Sequence, residues 1–355
     1  MLSALKIQLN KNMVKLNIDQ EELQIILFPN NKVINNLISS AKNTILLSRQ
    51  ALPNMDFCSE IIEAKNRGVK IKILLSSPFY FKNLSANKIR MRFDVPEDII
   101  LYTQKTVPAK EKLIIFLKEN GINIRYIDHK KYILNHSKYM VIDSKLAYVG
   151  SAPNESKKRL DIGILTDCPK KISTIEQLFK IDFYKKIYNS SLAYDNSILI
   201  APDNMRNKVE QLLYSAKNSI DMLFPLITND SKIFHILENK IKDGVIISAV
   251  CSPNIFSLND SKILDIKYFI ELIKIGVRLK FSYDPPIHCR VFIIDPVCVD
   301  NKKAYIGSGH LKTHCLDFNR ETAIVTSQPK VIAQISDLFK NLWSHSEAPS
   351  LNELS

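Results

Sequence analysis

Residues 135–143 read NHSKYMVID, and residues 287–295 read IHCRVFIID. Each stretch sets a histidine two residues ahead of a base and seven ahead of an aspartate. The two sets are His136, Lys138, Asp143 and His288, Arg290, Asp295. On an extended strand, side chains two apart share a face, so each histidine lies beside its cation. The aspartates, at odd spacing, fall on the opposite face and are assigned a structural, supporting part. Two imidazoles can divide a phosphodiester exchange between them. One attacks phosphorus to form a phosphohistidine; the other protonates the leaving oxygen and then activates water. Imidazole that is neutral near pH 7 suits both tasks. Lys138 and Arg290 would hold the phosphate oxygens and stabilise charge in the transition state. A Gly-Ser pair follows each motif, Gly150-Ser151 and Gly307-Ser308, and offers further donors. This chemistry requires no metal and no cofactor. The six cysteines are scattered without a CxxC pair, and HLKTH at 310–314 lacks a second ligand cluster.

The elements that must position these residues are also written twice. LISSAKNTILL (37–47) returns as LLYSAKNSIDML (212–223), and RGVKIKILLSSP (67–78) as DGVIISAVCSP (243–253). GINIRYID (121–128) returns as GVRLKFSYD (276–284), and AYVGSA (147–152) as AYIGSG (304–309). Four echoes in one order indicate an internal duplication. Within each half, continuous apolar strands alternate with amphipathic helices, which predicts α/β layering with a largely covered sheet. The expected architecture is two similar α/β/α halves forming a pseudo-dimer within one chain, with the site at their interface. The halves are assigned to residues 1–190 and 191–355, divided in the polar stretch 189–204. A surface insertion is expected at about 80–112 in the first half only. The two SAKN segments read as helix ends, and His129, His235 and His345 as surface or helix-flanking residues.

The chain has 355 residues, 46% of them hydrophobic, and a formal net charge of +13. That balance favours polyanionic partners, although a bias toward Ile, Lys and Asn can arise from genome composition alone. No apolar run approaches 18 residues and no signal-peptide pattern opens the chain, so membrane contact is expected to be peripheral.

The duplicated motif, the Gly-Ser pairs and the acidic residues beyond them resemble the phospholipase D superfamily. Its mark is a duplicated His-x-Lys-x4-Asp followed by Gly-Ser-x-Asn and a later acid. HSKYMVID with AYVGSA, LDIGIL (160–165), FNRETAIV (318–325) and the closing LFKNLWSHS resemble the branch of poxvirus envelope phospholipases and lysosomal phospholipase D-like exonucleases. The resemblance implies His136 as nucleophile, His288 as acid and base, and Lys138 and Arg290 on the phosphate. It also implies Ser151, Ser308 and Asn154 in the phosphate pocket. Glu321, fourteen residues after Gly307, and Asp161, eleven after Gly150, would orient the histidines. Three features depart from the family pattern. Arginine replaces lysine at 290, Pro153 and His310 stand where the family has asparagine, and PVCVDNKK lengthens one turn. The implied activity is a phospholipase D-like phosphodiesterase acting on phospholipid at a membrane. The alternatives are a nuclease of the same chemistry and a degenerate phosphate-binding protein. One chain suffices for the site, and the expected setting is cytoplasmic, peripheral on host membranes or a viral envelope.

Overall fold

Strand β12 (Arg290–Ile294) is buried at every position, as is β5 (Tyr139–Ile142). Unbroken apolar runs of this kind belong to sheets covered on both faces. The computed structural model of the chain describes residues 23–28, 31–77, 110–151, 159–186, 195–225, 230–252, 261–298 and 300–349. In it both motif strands lie in the middle of a seven-stranded mixed sheet. The first sheet contains β1 (Leu23–Phe28), β2 (Thr44–Ser48), β3 (Lys70–Leu75), β4 (Asn123–Tyr126), β5, β6 (Leu146–Gly150) and β7 (Asp161–Thr166), in the order β1-β7-β6-β5-β2-β3-β4. The second contains β8 (Ile198–Ala201), β9 (Ser219–Leu223), β10 (Ile246–Cys251), β11 (Arg278–Phe281), β12, β13 (Lys303–Gly307) and β14 (Glu321–Thr326). Its order, β8-β14-β13-β12-β9-β10-β11, repeats the first strand for strand. In each sheet three strands run parallel and the motif hairpin joins them antiparallel.

The helices are α1 (Asn31–Ser40), α2 (Met55–Asn66), α3 (Glu111–Glu119), α4 (Pro169–Tyr184), α5 (Met205–Tyr214), α6 (Ser231–Lys242), α7 (Ser261–Lys274), α8 (Thr313–Asp317) and α9 (Pro329–His345). Each half has an outer core of its own, Ile45, Ile73 and Met140 in one and Met222, Ile247 and Phe292 in the other. A third core is shared. Val141 and Ile162 of the first sheet join Val291 and Ile306 of the second, with Phe179 of α4 and Ile335 of α9. The duplication therefore buries its second apolar face against its own copy, which is the driving force holding the halves together. The expected division near 190 and most of the 80–112 insertion lie outside the described residues. Among the described residues no helix is long and apolar enough to cross a membrane.

The motif aspartates close the hairpins against the SAKN turns. Asp143 accepts from the backbone amides of Lys42, Asn43 and Thr44 at 2.7–2.8 Å. Asp295 accepts from Lys217, Asn218 and Ser219 at 2.7–2.9 Å. Both aspartates have positive φ, 53° and 47°, in the left-handed region that Asp tolerates better than bulkier residues. SAKN and the motif aspartate are thus two ends of one contact, which explains why they repeat together. The long PVCVDNKK turn is tied in by Asn301, which donates to Asp295 and to the Ser215 carbonyl.

Candidate active site

Two loops deliver the histidines to the seam between the halves. In the first, the fully buried Asn135 donates to Ser48 Oγ and to the carbonyls of Arg49 and Leu74, at 3.0–3.1 Å. His129 pins the same loop, accepting from the Ser77 amide through Nε2 and donating from Nδ1 to the Ile133 carbonyl. It is buried and structural, in contrast to the surface or helix-flanking position expected from sequence. In the second loop Ser252 Oγ performs the anchoring, accepting from the Ile287 amide and donating to the Ser282 carbonyl.

Backbone bonds then stitch each histidine loop to the opposite half. The His136 amide donates to the Arg320 carbonyl (2.9 Å), and the Arg320 amide to the Leu134 carbonyl (2.8 Å). In the mirrored arrangement, the His288 amide donates to the Leu160 carbonyl and the Leu160 amide to the Pro286 carbonyl, both at 2.9 Å. Glu321 follows Arg320 and Asp161 follows Leu160, so each acid is carried to the histidine of the other half.

His136 Nδ1 lies 2.8 and 2.9 Å from the Glu321 oxygens, and His288 Nδ1 lies 2.9 and 3.0 Å from those of Asp161. An ionised carboxylate only accepts, so both Nδ1 atoms carry the proton and both Nε2 atoms carry the lone pair. Burial raises both carboxyls, but their contacts outweigh it and hold them below the usual range: His136, Lys138 and Ser308 for Glu321; His288, Arg290 and Ser151 for Asp161. Burial lowers both imidazoles to about 4, against the pull of their carboxylates, so they are neutral near pH 7.

Lys138 is almost completely buried and donates to the His136 carbonyl at 2.8 Å. Burial first, and Arg290 second, lower its pKa to about 7. Arg290 is also buried. Its guanidinium donates from Nε and Nη2 to His310 Nε2 at 2.9 and 2.7 Å, and its Nη2 lies 3.3 Å from His288 Nε2. His136 Nε2, by contrast, makes no hydrogen bond among the described residues.

Other assigned residues are placed differently. Ser151 and Ser308, read from sequence as lining the phosphate pocket, are fully buried behind the carboxylates. Their hydroxyls donate to Asp161 and Glu321, each at 2.6 Å, and accept from the Ile162 and Thr322 amides. Their own amides bond to strand carbonyls, so these serines brace the acids. Gly307 leaves no room for a side chain, since a Cβ there would stand 2.6 Å from the Thr322 carbonyl oxygen. Asn154 lies outside the described residues. Asp143 and Asp295 sit at the SAKN turns, away from the imidazoles.

Two contributors escaped the sequence reading. Asn319 donates to Glu321 at 3.1 Å from two residues upstream, a spacing visible in FNRE. Arg320, wholly buried, meets Asp182 (2.8 Å), Asp203 (2.7 Å), the Ala201 carbonyl and the Tyr132 hydroxyl. Its links to Tyr132 and Asp182 of the first half clamp the seam beside Glu321.

Comparison with known proteins places this geometry. The family described as "Cardiolipin synthase, PLD-like domain" matches residues 34–182 and 209–343. No curated protein matches the chain. Among solved structures, phosphatidylserine synthase of Haemophilus influenzae Rd KW20 superposes with a TM-score of 0.66 at 12% identity, covering 91% of this chain and 87% of that one. Polyphosphate kinase of Porphyromonas gingivalis gives 0.62 at 15%, covering 90% of this chain, which spans only 50% of the kinase. The phospholipase D family member Nuc of Salmonella typhimurium gives 0.36 at 17%, covering 48% of this chain and 100% of Nuc. The two higher scores establish a common fold. The chain belongs to the PLD-like family that the matched model describes, and so to the phospholipase D superfamily.

Proposed function

We propose that this phospholipase D-like chain is a two-histidine phosphodiesterase acting on phosphatidyl lipids at a membrane surface. The observation that carries the reading is the crossed pair of histidine–carboxylate contacts, which leaves two neutral Nε2 atoms beside Lys138 and Arg290.

His136 is assigned as the nucleophile. Its Nε2 is unencumbered, whereas the Nε2 of His288 faces a guanidinium N–H at 3.3 Å. The lone pair of His136 attacks phosphorus, and the bond to the leaving oxygen breaks. His288, which takes a proton from solvent onto Nε2 once the anionic substrate has bound, gives that proton to the leaving oxygen. Water then attacks the phosphohistidine as His288 takes its proton, and the P–N bond breaks to restore His136. At rest the site holds two cations, two carboxylates and neutral imidazoles, so the substrate's negative charge is what favours a proton on His288. Lys138 and Arg290 stabilise the extra charge on the phosphoryl oxygens.

The lipid assignment is supported by the name of the matched family, by the phosphatidylserine synthase likeness and by the net charge of +13, which suits an anionic surface. The motifs HSKYMVID and FNRETAIV support the envelope phospholipase branch, and the halves are assigned to residues 1–190 and 191–355. Contact with the membrane is peripheral, and a single chain holds the complete site.

Phosphoenzyme trapping tests the reading. Wild type and His136→Ala are incubated with 32P-labelled phosphatidyl lipid in vesicles or with labelled oligonucleotide, then quenched in alkali, where phosphohistidine survives. Label from the lipid, held by wild type and absent from the variant, is the expected result. Label from the oligonucleotide alone would make the protein a nuclease, and no label from either would remove the catalytic reading.

A further inference from the structure

Where the family pattern has lysine and asparagine, this chain has Arg290 and His310, and the two replacements touch. His310 Nε2 receives both Nε–H and an Nη2–H of Arg290, at 2.9 and 2.7 Å. Arginine has no acceptor, so Nε2 must be the accepting nitrogen and His310 the Nδ1–H tautomer. The His310 ring also stacks beside that of His136, with centroids 5.9 Å apart and planes 30° from parallel. The loop that carries it is fixed by the Tyr305 hydroxyl, which donates to the Gly309 carbonyl at 3.1 Å. Both side chains are buried, Arg290 at 1% and His310 at 7% exposure.

From this geometry we infer that His310 is a positioning residue for Arg290, and that the two form one unit equivalent to the lysine and asparagine they replace. A lysine ammonium is a compact charge on a flexible stem, so it finds a phosphate oxygen without being aimed. A guanidinium is planar and longer, and its N–H groups point only where its plane is set. The bidentate contact on Nε and Nη2 sets that plane. It turns one edge of the guanidinium to His310 and directs Nη1 toward the Ser151 carbonyl, 3.4 Å away, at the Asp161–His288 side of the seam. Neutral imidazole provides this hold without adding a third cation to the site, and burial together with Arg290 keeps the His310 pKa well below its ordinary value. The unit rests on the phosphodiesterase reading, because it aims a cation at a bound phosphoryl group.

A double-mutant cycle tests the inference, read as the dissociation constant for inorganic phosphate by calorimetry and as phosphoenzyme yield. Arg290→Lys alone leaves His310 facing an ammonium it cannot orient, and His310→Asn alone draws the acceptor back from the place of Nε2, so its amide oxygen falls short of the guanidinium. Each single variant is expected to weaken phosphate binding by about tenfold or more, and the double variant to return to within about threefold of wild type. His310→Gln, which keeps an acceptor oxygen, should lose less than His310→Phe, which keeps only the stacking. Losses that multiply in the double variant, or equal losses in the Gln and Phe variants, would overturn the positioning role while leaving the phosphodiesterase reading intact. A wild type that neither binds phosphate nor forms phosphoenzyme would remove both.

Discussion

The two halves carry the same strand order and the same hairpin, but they treat their motif cations differently. In the first half Lys138 lies at the wall of a pocket, with Leu47, Arg49, Met140 and Tyr148. In the second half the corresponding positions hold Met222, Phe224, Phe292 and Tyr305. There Phe292 stacks on Tyr305 at 4.8 Å and 3°, and on Phe224 at 6.5 Å and 18°. The first half thus keeps a compact ammonium, whose pKa burial and Arg290 lower to about 7, beside a histidine with an open Nε2. The second keeps a rigid, planar cation locked between His288 and His310 over a solid aromatic floor. The proposed reaction gives the two histidines different tasks, and the packing around the two motif cations differs in parallel.

Removing the imidazoles should separate the halves most strongly. His136→Ala is expected to abolish phosphoenzyme and turnover, by roughly 10⁴-fold or more. His288→Ala should still form phosphoenzyme from a p-nitrophenyl phosphodiester, whose leaving group needs no proton, but lose about 10²–10⁴-fold on an alkyl ester. Equal losses on both esters would show that the assigned roles are wrong.

The acids come next. Glu321→Gln frees His136 from its tautomer and should slow phosphoenzyme formation by about 10²–10³-fold. With a p-nitrophenyl ester, whose leaving group needs no proton, Asp161→Asn should slow mainly its breakdown. Rapid-quench kinetics of the two steps would expose an uncrossed pairing, since each variant would then impair the other step.

pH sharpens the contrast between the cations. Lys138 loses its charge as pH rises through about 7, so kcat/KM should fall on that alkaline limb. Lys138→Arg should move the limb upward and make the first half resemble the second. On the acid side, His136 and His288 have pKa values near 4 in the folded protein, below the unfolded value of about 6.5. The unfolded chain therefore binds more protons between these values, and stability should fall as pH drops from about 6.5 toward 4. A urea-denaturation series across that range checks the sign.

The smallest effects concern the SAKN clasps. Asp295→Ala and Asp143→Ala should each cost about 1–3 kcal/mol of stability without changing the pH profile. Asp295 should cost the more, because it is fully buried and also holds Asn301. Thermal unfolding would rank them.

Much of this was legible in the chain. The duplication followed from repeated strings, and the α/β layering from apolar strands alternating with amphipathic helices. His136, Lys138, His288 and Arg290 stood out because a period of two places them on one strand face. The burial of His129 was not legible, since only its closed loop gives both ring nitrogens backbone partners. The serines were misplaced for a similar reason. A hydroxyl in a Gly-Ser turn can point at substrate or at a neighbouring carboxylate, and the adjacent strands supplied the carboxylate.

By itself the sequence determined the two halves, the motif strands and the kinds of group brought to the site, because local period and composition encode them. Only the tertiary structure decided which acid serves which histidine, and that His310 lies against Arg290. Glu321 reaches His136 across 185 residues, and Asp161 reaches His288 across 127. Contacts at that separation depend on how two apolar sheet faces pack and on the amide bonds that stitch Leu160 and Arg320 to the opposite loops. No local pattern in the chain specifies them.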